Sequence, residues 1–158
     1  MSAAFIEAVL AGTEPPAEFD VPPGWPDRHA AGFLALRLRQ LRERPSLAEW
    51  FVYSVVSDGA MIGYAGFHGP PGVNARQDAD AVEIGYTIFD PYRRRGYATE
   101  AARTLIRYAR ERGVPRVLAS VSPDNEPSLA MMRTLGFREI GHHWDDEDGD
   151  ELEFELTT

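Results

Sequence analysis

The chain has no cysteine and no lysine. Without cysteine there is no disulfide, no thiolate nucleophile, no Cys-based metal site and no acyl-cysteine route for group transfer. Without lysine the basic complement is 16 arginines, a bias that reads as coding composition rather than function. No apolar run approaches the ~20 residues that a membrane-spanning helix needs, because Glu7 interrupts the N-terminal one. No basic-then-apolar leader precedes the first elements. A Gly-Lys-Ser/Thr phosphate loop is absent, which argues against a P-loop NTPase. With a net charge of −9, neither nucleic acid nor membrane is an expected partner. A soluble cytoplasmic protein is expected, and 158 residues without repeats or low-complexity segments suit one domain, 1–158, with a real core.

The most informative segment is Arg93-Arg94-Arg95-Gly96-Tyr97-Ala98-Thr99, between an apolar strand over 81–89 and an amphipathic helix. Asp90-Pro91 breaks the strand. Gly96 lets a ligand approach the backbone closely, because no Cβ stands in the way. The helix that follows aims its first unpaired N–H groups and its positive dipole end into the turn, which makes an anion site. Arginines add charged donors suited to phosphate oxygens. Gly-containing turns before helices are also common, so the turn alone is only moderately specific.

Other elements follow from spacing. Helices are expected over 3–10 and 28–42, the second with Phe33, Leu34, Leu38 and Leu41 on one face. Strands over 50–56 and 61–68 are joined by Asp58-Gly59, a good hairpin turn. After the turn, Ala101, Ala102, Leu105, Ile106 and Ala109 form a buried helical stripe that Gly113 and Pro115 end. A strand over 116–121, a helix over 128–135 stopped by Gly136, and strands over 137–142 and 152–156 complete the chain.

Arg93-x-x-Gly96-x-Ala98, Asn125-x-x-Ser128 and Leu135-Gly136-Phe137, in this order, resemble the GNAT family of N-acetyltransferases. Glu83-Ile84-Gly85-Tyr86 resembles its ribosomal-protein N-terminal acetyltransferase branch. The resemblance covers about residues 50–156. It implies an α/β (α+β) GNAT fold: a central mixed, mostly antiparallel sheet with a splayed strand pair and flanking helices. It also implies acetyl-CoA as cosubstrate and a primary amine as acceptor, either a small molecule or a peptide N-terminus. A homodimer through a sheet edge or an acidic loop is a candidate assembly. The family carries a strand ahead of the first helix; this sequence starts too late for it, so either that strand is missing or another segment covers that sheet edge.

By the same resemblance, Arg94, Arg95, Gly96, Tyr97, Ala98 and Thr99 hold the pyrophosphate, mostly through backbone N–H groups. Thr87, Ile88 and Phe89 pair with the pantetheine arm on a bulged strand, amides near Ile88 face the acetyl carbonyl, and Asn125 contacts the cofactor. Asn125 equally reads as a helix N-cap. The family's usual acid–base pair is poorly represented. Ser120 stands where some members carry a Glu, and Met132 stands where many carry a proton-donating Tyr; Met132 reads as core. Glu83 is the preferred base, direct or through water, because an acid among apolar neighbours is a better proton acceptor. His68 and His142 are alternatives. Ser128 is the candidate donor to the leaving thiolate, or an ordinary first-turn residue. Tyr86 and Trp144 read as packing or as acceptor-pocket walls. Eight acids lie between Asp145 and Glu155, either a solvated hairpin or a rim that attracts a cationic amine. A catalytically idle acyl-CoA-binding module is the competing reading.

Overall fold

Capping residues start the first two helices. The Ser2 hydroxyl accepts from the Phe5 N–H at the head of α1 (Ala3–Leu10), and the Asp27 carboxylate accepts from the Ala30 N–H at the head of α2 (Arg28–Glu43). The computed structural model describes residues 1–145 and 149–158. Six strands follow: β1 (Val52–Ser57), β2 (Ala60–Phe67), β3 (Ala81–Ile88), β4 (Arg116–Val121), β5 (Arg138–Asp145) and β6 (Gly149–Thr157). Helices α3 (Tyr97–Glu111) and α4 (Glu126–Leu135) flank β4 in sequence. Asp58 and Gly59 both take positive φ, 49° and 78°, as a tight hairpin turn between β1 and β2 requires.

Several boundaries differ from the sequence expectation: β5 runs three residues further, to Asp145, and β6 starts three residues earlier, at Gly149, so the last hairpin is longer than expected. Trp50 closes a 3₁₀ turn, Pro45–Trp50, instead of opening β1, and its ring packs edge-on against Phe67 and Tyr108. Helix α4 starts at Glu126, two residues early, because Asn125 is its cap and Pro127 occupies its first turn.

The strands form one sheet in the order β1-β2-β3-β4-β6-β5. All neighbours are antiparallel except β3 and β4, which run parallel and pair only from Ala81, Val82 and Glu83 to Arg116, Val117 and Leu118. Beyond that point β3 stays with β2 as far as Ile88, and β4 stays with β6 as far as Val121. The sheet therefore opens into a V. The expected bulge is not in this strand: β3 keeps unbroken register with β2 from Ile84 to Ile88. The irregularities lie in β1, between Val55 and Val56, and in β5, between Glu139 and Gly141.

Each face of the sheet has its own core. On one, Phe5, Ile6 and Val9 of α1 and Leu34 and Leu41 of α2 pack on Phe51, Val52 and Met61. On the other, Ala102, Leu105, Ile106 and Ala109 of α3 and Leu129 and Met132 of α4 pack on Val82, Ile84, Val117 and Ala119. Met132 is fully buried, as expected. A buried aliphatic of this size contributes ~1.5–3 kcal/mol, so the two cores hold the V open between fixed walls. Among the described residues β1 forms one edge of the sheet and β5 the other. The Met1 ammonium donates to the Val52 carbonyl of β1 at 2.6 Å, and burial lowers that ammonium's pKa.

Candidate active site

The turn before α3 forms a concave set of donors. Arg94 and Gly96 both sit in the left-handed region, at φ 59° and 86°, so successive N–H groups converge as in an anion nest. The N–H groups of Arg94, Arg95, Gly96, Tyr97, Ala98 and Thr99 have no hydrogen-bond partner among the described residues; the first intrahelical bond is from Glu100 to the Gly96 carbonyl. A Cβ added at Gly96 would meet nothing within 4 Å, so the space ahead of the turn is open for a ligand. These residues fit a pyrophosphate. Arg93 plays another part: its Nε donates to the Ile88 carbonyl at 2.9 Å and it pairs with Asp90, which pins the turn to β3. Arg94 and Arg95 are exposed and available to phosphate. The Tyr97 hydroxyl lies 3.3 Å from Ser57 Oγ, so this residue offers the cradle its backbone only.

Where β3 and β4 part, a cleft of about 570 Å³ opens between them. The Phe89 N–H is spent on the Ile62 carbonyl of β2, and Thr87 lies opposite Tyr64 in the same ladder. By the alternation of an antiparallel strand, the amides of Tyr86 and Ile88 then point into the V. Of the three strand positions expected to meet a pantetheine arm, only Ile88 presents its N–H there; Thr87 and Phe89 turn their backbone toward β2. Asn125 lines the cleft and caps α4, its Oδ1 accepting from the Ser128 N–H at 3.3 Å. Both roles read from the sequence are thus compatible.

Glu83 is 1% exposed and its carboxylate is held on both sides. Oε1 accepts from the Ser120 hydroxyl at 2.6 Å and Oε2 from the Ala75 N–H at 2.7 Å. His68 Nδ1 lies 3.5 Å from Oε2, and the imidazole, half-exposed, borders the cleft. A carboxylate behind an imidazole orients it and stabilises its charged form. Ser120, where the family resemblance placed a Glu, thus anchors a carboxylate brought from the next strand. Gly85 leaves room for the ring: a Cβ there would stand 3.3 Å from His68 Nε2. His142 is not part of this set; it is exposed, 3.5 Å from Asp150.

Opposite, Ser128 of α4 and Tyr86 of β3 both line the wall of the cleft. Burial raises the Tyr86 pKa, with the Ser128 hydroxyl acting the other way, so the phenol keeps its proton through neutral pH.

Sequence reasoning missed His143 as a cleft residue and did not resolve the acidic run. Asp145, Glu151 and His143 line the cleft, with His143 Nε2 3.7 Å from Glu151. Glu153 instead pairs with Arg76, and Glu155 with Arg116 and Arg138, so two of the eight acids brace the sheet face. Residues 146–148 lie outside the described residues. Glu151, Glu153 and Glu155 share one face of β6, so the split lies along the strand: Glu155 and Glu153 sit where β6 pairs with β4, and Glu151 lies just past the last paired residue, Leu152. Trp144 is 73% exposed and lines neither wall.

A family model described as an acetyltransferase (GNAT) domain matches residues 5–138. The chain belongs to the GNAT family. This is a family of acyltransferases that use acetyl-CoA. Among curated relatives it is 37% identical over 60 residues to the uncharacterized N-acetyltransferase YnaD of Bacillus subtilis, an alignment spanning 37% of this chain and 35% of that protein. In fold it is similar to a ribosomal-protein-alanine N-acetyltransferase from Brucella melitensis (TM-score 0.66, 22% identity, 100% of this chain and 97% of the other). It is also similar to YncA of Salmonella typhimurium, a putative acetyltransferase solved with acetyl-CoA (TM-score 0.62, 21% identity, 78% and 73%). No helix among the described residues is long and apolar enough to cross a membrane.

Proposed function

We propose that this GNAT protein transfers the acetyl group of acetyl-CoA to a primary amine by direct attack in a ternary complex. The observation that carries this reading is an open six-amide cradle at the head of α3, on the turn that follows β3, together with a cleft beside β3 that is lined by the Glu83–His68 pair and by Tyr86 and Ser128. Acetyl-CoA supplies the thioester. The chain's residues do the rest. Arg94, Arg95 and the amides through Thr99 hold the phosphates. The Tyr86 and Ile88 amides meet the carbonyl oxygen as it gains charge.

The amine must lose a proton before attack. Glu83 is sealed by its two donors, so it acts through His68, which takes the proton while the carboxylate offsets the new charge. As the N–C bond forms and the C–S bond breaks, Ser128 returns a proton to the sulfur and is itself resupplied by Tyr86. Carboxylates of Glu83, Asp145 and Glu151 favour an ammonium at the inner end of the cleft. The acceptor is a small-molecule amine or a peptide N-terminus, and the cytoplasm is the assigned compartment; a homodimer remains part of this proposal.

Met132, fully buried where many relatives place a proton-donating Tyr, favours a second reading as a non-catalytic acyl-CoA-binding module. Calorimetric titration with acetyl-CoA, free CoA and ATP, followed by CoA release with a panel of amines, tests both. CoA-selective binding with amine-dependent release supports the enzyme. Binding with no release from any amine supports the module, and absence of binding overturns both.

A further inference from the structure

A second depression joins the cleft. It measures about 1110 Å³ and runs along α2 from Arg28 to Gln40, and it shares His68, Gly85, Tyr86 and Asp145 with the cleft. Three glycines make room for it. Gly66 and Gly85 are paired across β2 and β3 and form its floor, and Gly32 of α2 faces it. Gly66 is glycine for a local reason, since a Cβ would strike the Phe51 carbonyl. Gly32 has no such reason: a Cβ there would meet nothing within 4 Å. A mid-helix Gly costs about 1 kcal/mol against Ala, so this position leaves a space open at the expense of helix stability.

The walls of this groove are apolar. Phe33 and Tyr64 stack at 5.9 Å, and Leu36 and Val73, two of the exposed large hydrophobic residues of the described chain, form its lips. Its charges are one-sided. Arg28 and Arg37 line it, while Asp145, its one carboxylate among the described residues, lies where groove and cleft meet. Arg37 is 5% exposed and keeps its charge at neutral pH, burial lowering its pKa only to about 10. Its two terminal nitrogens donate to Gln40 and to the His68 and Phe67 carbonyls, while its buried Nε has no partner among the described residues.

We propose that this groove seats the body of the acceptor, and that the acceptor is a small primary amine on an apolar arm with no second positive charge. The inference rests on the amine-acetyltransferase reading of the adjoining cleft. The ammonium meets the carboxylates at the junction, and the arm lies between Phe33, Tyr64, Leu36 and Val73. A diamine would bring its second ammonium beside guanidinium groups. A peptide would bring backbone N–H and C=O groups to apolar walls, where the terminal nitrogens of Arg37 and the Gln40 side-chain carbonyl are already engaged.

The test is CoA release by the full chain with 2-phenylethylamine, ethylamine, 1,4-diaminobutane and an Ala-led tripeptide amide, repeated on Gly32→Leu. Expected is a kcat/KM for 2-phenylethylamine about tenfold or more above each of the others, the factor that ~1.4 kcal/mol of extra contact gives. Gly32→Leu, which fills the space, loses most of that preference through KM. Equal rates for all amines, a preference for the diamine or the peptide, or wild-type selectivity in Gly32→Leu overturns this assignment and leaves the acetyltransferase reading standing. Release from no amine overturns both.

Discussion

Replacing Glu83 by Gln separates orientation from charge. In the native protein the carboxylate accepts from Ala75 N–H at 2.7 Å and Ser120 O–H at 2.6 Å, with His68 Nδ1 3.5 Å away. Gln fits the same space. Its carbonyl accepts from Ala75, and its amide donates to a Ser120 hydroxyl that rotates to accept, so the fold loses little. What disappears is the negative charge behind His68. A hydrogen bond to a charged group is worth ~1.5–3 kcal/mol, which predicts a fall in kcat of roughly 10- to 100-fold. The fall is not uniform across acceptors. An alkylamine with pKa ~10.4 stands ~3 units above neutrality, a cost of ~4 kcal/mol, whereas an α-amine near ~8 costs only ~1 kcal/mol. Base assistance therefore matters more for the alkylamine. The assay is CoA release against pH for 2-phenylethylamine and an α-amino amide, with thermal unfolding as the fold control. An equal loss for both amines, or no loss at all, refutes a proton-transfer role for Glu83.

Gly96→Glu should abolish acetyl-CoA binding in a titration, because it adds a carboxylate where the cradle is open and forces a non-glycine residue to φ 86°, a strain of ~1–2 kcal/mol; unchanged affinity removes the cradle assignment. Tyr86→Phe should lower kcat with little change in the KM for acetyl-CoA. Since burial raises the Tyr86 pKa, the protonated donor persists past the usual ~10, and the wild-type loss of rate from its ionisation lies above that pH and vanishes in the variant. Identical alkaline profiles would remove Tyr86 from proton return. Arg37→Ala orphans the His68 and Phe67 carbonyls and leaves a cavity, so stability should drop by about 3 kcal/mol; for a chain of this size that is a Tm decrease of roughly 6–12 °C by calorimetry.

What the sequence disclosed, it disclosed through local chemistry. Gly96 after an arginine run, the Asp58-Gly59 turn and the apolar stripe of α3 each depend on neighbours within a few positions, and each lies where expected. The fold class was legible in the same way, through the order of motifs that resemble the family. The proton-handling residues were only half legible. Glu83 and Ser128 stood out, but the partners that give them meaning come from register: Ser120 from β4, His68 from the end of β2, Tyr86 across the cleft from α4. The roles of Thr87, Ile88 and Phe89 likewise divide by strand alternation, which a ladder fixes and composition does not. The split of the acidic run, with Glu151 in the cleft and Glu153 and Glu155 bound to arginines, needed the pairing of β6 as well.

The short parallel contact between β3 and β4 has a structural corollary. A sheet ordinarily shows unpaired backbone only at its rims, where proteins blunt it. Here three paired residues on each strand are followed by a parting, so the protein carries two facing edges in its interior. Those edges lie between helices that bar another chain from reaching them, yet they stay open to a slender molecule with amides of its own. Such a molecule can complete the ladder across the gap, acting as the strand the sheet lacks.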